Sequence, residues 1–151
     1  MKIINLLFSA IVFFSLDAHV SVIANKTDLV RVIQSATYIV KAKPVAKSTT
    51  DFIVVEVLKG DDALLKANKK IEVRPADEDL FEMINELQQK GQPTPMPIVD
   101  YYNGPSAELF AKSTEVILFL AKNNKGNFRF FCNGSFETVL KQSEIVEKIK
   151  K

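Results

Sequence analysis

The chain has 151 residues, 47% hydrophobic and 25% charged, with a formal net charge of +2. Those values are ordinary for one globular domain and exclude a wholly disordered chain. With a single Cys and a single His, an intrachain disulfide framework is excluded, and a near-neutral balance argues against a general nucleic-acid surface.

Met1-Lys2 is a short basic start, and Ile3 to Leu16 is a largely apolar run broken by Asn5, Ser9 and Ser15. Two small-residue cleavage options follow, after Ala18 and after Ala24. This is the layout of a secretory signal peptide, and the run is too short for a comfortable membrane span. The expected division is a signal peptide at 1–24 and one domain at 25–151, exported to the periplasm or secreted. No Cys near the end of the run offers a lipid anchor, and no second long apolar run follows, so the mature protein is expected to be soluble.

Thr27 is placed to cap a short helix with Leu29, Val32 and Ile33 on its buried face. Tyr38 to Ala42 reads as a strand ended by Pro44. Phe52 to Leu58 is the clearest strand, with Ile53, Val55 and Val57 sharing one face and Glu56 interrupting the other. Lys59-Gly60-Asp61-Asp62 turns the chain, and Ile71 to Arg74 alternates as a third strand ended by Pro75. Lys66, Lys69, Lys70 and Arg74 cluster around that strand's start, where a solvated face is the simplest reading.

Asp77 to Lys90 reads as an inserted amphipathic helix. Acidic residues suit its positive N-terminal end, Leu80, Met83, Ile84 and Leu87 form its apolar stripe, and Gly91 is placed for a left-handed cap. The proline-rich stretch Gln92 to Pro97 cannot be helix or central strand, and it leads through Ile98 to Pro105 as a long loop. Glu115 to Ala121 is a nearly continuous apolar strand, expected to be buried on both faces. A turn at Asn123 to Gly126 returns the chain as a strand over Phe128 to Cys132. Gln142 to Lys151 reads as a terminal helix with Ile145, Val146 and Ile149 inward.

The order of these pieces resembles the netrin-module group of OB-folds, to which the inhibitory domain of tissue inhibitors of metalloproteinases belongs, and the small exported bacterial proteins similar to it. The pieces that carry the resemblance are Ala36 to Ala42, Phe52 to Leu58 with Lys59-Gly60, Ile71 to Val73, Glu115 to Leu120, and Phe128 to Cys132 before a final helix. It implies a mainly β, α+β fold: an OB-like five-stranded barrel with an N-terminal helix, an insertion at about 77–113 and a C-terminal helix. In that family an N-terminal Cys chelates the target's zinc. This chain would begin at Asn25 or His19 and lacks the family's disulfides, so that mechanism does not carry over.

Catalytic chemistry is poorly supplied. His19 leaves with the signal if cleavage follows Ala24; if it follows Ala18, a lone N-terminal His makes a weak metal site, and no metal or other cofactor is expected. Cys132 has no His to activate it and reads as a buried thiol, with pairing to another chain as the alternative. Asp61-Asp62 and Asp77 to Asp79 sit where turns and helix starts favour acids for structural reasons. The sequons at Asn25 and Asn133 matter only in a eukaryotic secretory pathway.

The expected function is therefore an exported protein-binding or inhibitor module without catalytic activity. A periplasmic immunity protein that neutralises a delivered toxin would be one form. The alternative is a barrel binding a small molecule, oligosaccharide or nucleic acid. Met96, Ile98, Tyr101 and Tyr102 are the candidate contact residues, apolar and aromatic area on a proline-stiffened loop. The competing reading is that they fold back over an open barrel edge.

Overall fold

A computed structural model describes residues 23–46, 48–105 and 112–151. The body of the expected signal peptide and residues 106–111 of the insertion lie outside them. The described residues form, in order, β1 (Ile23–Thr27), α1 (Leu29–Ser35), β2 (Tyr38–Pro44), β3 (Asp51–Lys59), β4 (Lys70–Glu72), α2 (Glu78–Gln89), β5 (Ile98–Tyr102), β6 (Val116–Lys122), β7 (Phe128–Phe130), β8 (Phe136–Thr138) and α3 (Gln142–Ile149). The fold is α+β, with most of the described elements strands.

The main sheet has the order β4-β3-β2-β6-β7, with β8 also paired to β6. Each pairing is antiparallel, and the sheet curls into a half-barrel. Its two ends meet beyond β4, where Arg74 makes an isolated parallel bridge to Arg129. The Arg74 N–H donates to Phe128 O at 2.8 Å and the Phe130 N–H donates to Arg74 O at 3.0 Å. Six strands stand where five were expected. The sixth, β8, is short and centred on the buried Glu137, a pattern that hides a strand in sequence.

Alternation along the strands sorts apolar residues into two cores. Val40, Ala42, Phe52, Val54, Val73, Val116, Leu118 and Leu120 pack inside the curl. Ile39, Ile117 and Phe119 face the other way, where α1 and α3 cover them with Val32, Ile33 and Ile145. β6 is thus buried on both faces, as its continuous apolar run predicts.

In β3 the expected face is wrong for part of the strand. Phe52 and Val54 are buried while Ile53 is exposed. The β2–β3 register explains it: Lys41 pairs with Glu56 and Ala42 with Val54, and Val40 pairs with Val57 and Ile39 with Lys59. Val55 and Leu58 are each left unopposed, and each such bulge reverses the alternation. Val57 thereby joins Phe52 and Val54 on the inner core, and Glu56 stays outside, 3.1 Å from Lys41 Nζ.

The helix cap is one residue later than expected. The Arg31 N–H donates to Asp28 Oδ1 at 2.8 Å, while Thr27 ends β1 and is buried. At the other end of α1, the Lys59 ammonium donates to Ile33 O, Gln34 O and Ala36 O at 2.8, 2.9 and 2.7 Å. These are carbonyls that a helix C-terminus leaves without intrahelical partners. Gly60 follows with φ +87°, and a Cβ there would lie 2.7 Å from Thr37 O and 2.6 Å from the Tyr38 ring. The Val57-Leu58-Lys59-Gly60 run is therefore a clamp that ties β3 to α1 and lets the chain turn past β2.

β1 and β5 form a separate two-stranded parallel sheet, Ile23 opposite Ile98 through Thr27 opposite Tyr102. β5 falls where a loop was expected, and Ile23 and Ala24, assigned to the signal peptide by a cut after Ala24, open β1. Gly91 at φ +64° takes the left-handed conformation expected of it, and Gly126 at φ +81° stands in the turn expected between β6 and β7.

Candidate functional site

The four candidate contact residues do not share one surface. Met96 is 56% exposed and Ile98 61% exposed, at the entry to β5. Tyr101 is half-buried, bridged to Asn133. Tyr102 is only 9% exposed and packs in the core that α1 and α3 cover. Its hydroxyl donates to Glu137 Oε1 at 2.7 Å and its ring meets Phe119 edge-on at 6.3 Å. Burial, reinforced by the Glu137 carboxylate, raises the phenol far above its ordinary value. The split runs along β5: Ile98 at its start is exposed, Val99 and Tyr102 are buried, and Asp100 and Tyr101 are half-buried.

Helix α2 carries further exposed apolar residues. Ile84 is buried, but Phe81 and Met83 are exposed, so Met83 does not point inward as its stripe position predicts. Polar contacts hold the helix instead. Glu78 accepts from Asn123 Nδ2 at 3.0 Å, Asp79 accepts from the Asn124 N–H at 3.2 Å, and Glu82 pairs with Lys125 Nζ at 2.6 Å. The acidic first turns therefore clamp the β6–β7 hairpin, a role beyond their fit to the helix dipole.

Beside that hairpin lies a cleft of about 430 Å³. One wall is the loop from Ala63 to Lys69 with β4, and the other is Gly126-Asn127-Phe128. Lys66, Lys69, Lys70 and Arg74 all line it, with Glu72 as the acidic counterpart. The expected solvated face is thus a concave one. Lys66 and Lys69 are set by a tight turn, closed by the Lys69 N–H to Lys66 O at 3.0 Å, with Asn68 between them at φ +66°. Asn adopts that left-handed conformation more readily than most residues.

The remaining groups weighed for chemistry are structural. Asp62 receives the Leu64 N–H at 2.9 Å and pairs with Lys122. The Lys122 ammonium and that N–H hold its carboxyl below the usual range. Cys132 is buried, and burial pushes its thiol up to about 11, the wrong direction for a nucleophile. A second cavity of about 340 Å³ contains Arg129, Asp77, Asp79 and Asp100. Its Arg129 Nη1 donates to Ala76 O, Phe130 O and Phe131 O at 3.3, 3.0 and 3.2 Å, which ties that nitrogen to the main chain, while Nε is buried without a hydrogen-bond partner.

The residue types behind both surfaces are visible in sequence, but their surroundings are not. The four basic residues stand within nine positions, yet the facing wall comes from residues more than fifty positions away. Among the described residues no helix is long and apolar enough to cross a membrane. Compared with known proteins, the chain matches no family model, no curated protein and no solved structure.

Proposed function

We propose that this chain is an exported, non-catalytic protein-binding or inhibitor module that works through its insertion. The observation that carries this is the exposure of Phe81, Met83, Met96 and Ile98, all large apolar side chains on one stretch of chain. Exposed large apolar side chains that recur along one stretch of chain are the raw material of an interaction surface. The stretch leading into β5 is stiffened by Pro93, Pro95 and Pro97, so it loses little entropy when a partner docks.

The proposed architecture is an OB-like barrel of the netrin-module kind. Supporting it are the order β4-β3-β2-β6-β7, the parallel bridge at Arg74 and the position of α2 between β4 and β6. Export rests on the N-terminal sequence pattern. A buried thiol pushed up to about 11 and a hydrogen-bonded, buried Tyr102 support a binding role over a catalytic one.

The test is affinity capture from the native extracytoplasmic extract with the wild-type chain and with Met96→Asp/Ile98→Asp. Both positions are exposed, so the variant should keep the wild-type melting temperature. A stoichiometric protein held by the wild type and lost by the variant is the expected result. A partner retained equally by both would move the contact off the insertion. Wild-type captures with no protein partner would favour the alternative of a barrel for a small ligand.

A further inference from the structure

The basic cleft is a separate surface from the exposed insertion, and its chemistry points to a different kind of ligand. Lys66 and Lys69 make no ion pair among the described residues, whereas Lys70 Nζ lies 3.4 Å from Asp51 and Arg74 lies 3.4 and 3.9 Å from Glu72 and Glu78. Two lysines of the lining thus carry no ion pair, beside two further cations, Lys70 and Arg74, and one carboxylate, Glu72, on the same lining. Like charges held together in a concave site are mutually repulsive, so an anion entering between them gains from all of them at once.

The kind of anion follows from which cations are free. Arg reads carboxylates through its planar fork, but Arg74 is already engaged by two of the chain's own carboxylates. The free cations are lysines, point charges that suit the spread charge of phosphate oxygens. Single-stranded nucleic acid would need an aromatic face on which to stack a base. The cleft's one aromatic, Phe128, is buried, set edge-on to Tyr38 at 5.6 Å and lies under Lys122 at 5.4 Å. Leu64, 61% exposed on the same wall, can rest against an apolar portion of the ligand. The volume is that of a small-molecule site.

We propose that the cleft between the Ala63–Lys69 loop, β4 and Gly126-Asn127-Phe128 binds a ligand carrying two or more phosphate groups, free in solution or as a lipid headgroup. This does not depend on the protein-binding reading of the insertion.

The test uses the purified protein with two probes, tripolyphosphate by calorimetry and cardiolipin-containing vesicles by flotation, with phosphatidylcholine vesicles as the blank and oligothymidylate by calorimetry as the nucleic-acid control. Lys66→Gln/Lys69→Gln is compared with Lys150→Gln/Lys151→Gln, which removes the same charge from the far end of α3. The cleft double variant should bind about fivefold or more weakly, and the tail double variant should stay within about twofold of wild type. Binding of tripolyphosphate, with or without the vesicles, supports a free phosphate ligand, and binding of the vesicles alone supports a headgroup. No binding of either probe overturns the proposal, as does an equal loss in the two double variants. Binding of oligothymidylate but of neither probe also overturns it, in favour of nucleic acid. All variants sit at exposed positions, and a matched melting temperature checks that each is folded.

Discussion

Lys59→Met tests the clamp between β3 and α1. The substitution keeps most of the aliphatic stem and removes the ammonium that donates to Ile33 O, Gln34 O and Ala36 O. The Gln34 carbonyl is exposed and can turn to water, while the Ile33 and Ala36 carbonyls are part-buried and lose a partner less cheaply. Burial alone pulls the ammonium's pKa down, and that desolvation offsets some of what the three bonds contribute. Taking about 1 kcal/mol for each of the two shielded carbonyls and up to about 1 kcal/mol for a cation at a helix C-terminus gives roughly 2–3 kcal/mol. For a domain of this size that is a fall in melting temperature of roughly 6–12 °C. Urea denaturation should show a lower midpoint at an unchanged slope, the signature of lost native stability. Lys59→Arg should recover part of the loss, because its rigid fork cannot reach three converging oxygens as an ammonium does. A Met variant within about 0.5 kcal/mol of wild type, the range of ordinary surface changes, would refute the clamp.

Tyr102→Phe should cost about 1–2 kcal/mol in the same denaturation experiment, because it removes the 2.7 Å hydrogen bond to the buried Glu137 and leaves that carboxylate to Lys141 and the Thr138 N–H. Asp62 is held below its ordinary value of 3.8, chiefly by Lys122 and then by the Leu64 N–H. Its contribution is therefore complete above that pH and lost as pH falls through the lower folded value, and Asp62→Asn should flatten the stability–pH curve in that acid window. Cys132, buried with its thiol pushed up to about 11, should resist iodoacetamide at pH 8 in the folded protein and react fully in denaturant, as read by intact mass. A chain beginning at Asn25 loses the Ile23–Ile98 and Ala24–Val99 pairs of β1, so it should be less stable than one beginning at His19 by about 1–2 kcal/mol in urea.

Where one residue's neighbours along the chain decide its environment, the sequence was legible. The run from Val116 to Ala121 is apolar at every position, and only a strand covered on both faces can hold such a run, which is what Leu118 and Phe119 in opposite cores show. Gly91 and Gly126 marked their turns for a similarly local reason. β3 failed at Ile53 because a bulge is a property of two strands: nothing in Phe52 to Leu58 says that Val55 will lack a partner. β5 failed for the same reason. Its five residues carry no alternating pattern, and they are a strand because β1 and Asn133 supply partners on its two edges.

The two surfaces argue the same point at the level of function. Tyr101 and Tyr102 are indistinguishable by type and adjacent in sequence, yet the pairing of β5 sends one ring to Phe119 and leaves the other half-buried. Aromatic composition therefore could not say which would meet a partner. The basic residues from Lys66 to Arg74 present the reverse case. Their clustering was plain, and a solvated face was the reasonable reading of a strand start. What makes them a cleft is the return of the β6–β7 hairpin, held by Glu78, Asp79 and Glu82 from α2. The insertion thus ties down the hairpin that forms one wall of the basic cleft and also carries the exposed apolar residues. Breaking those polar ties, for example with Glu82→Ala, should loosen the hairpin and alter phosphate binding more than it alters capture of a protein on Met96 and Ile98. If both responses moved together, the two surfaces would be one.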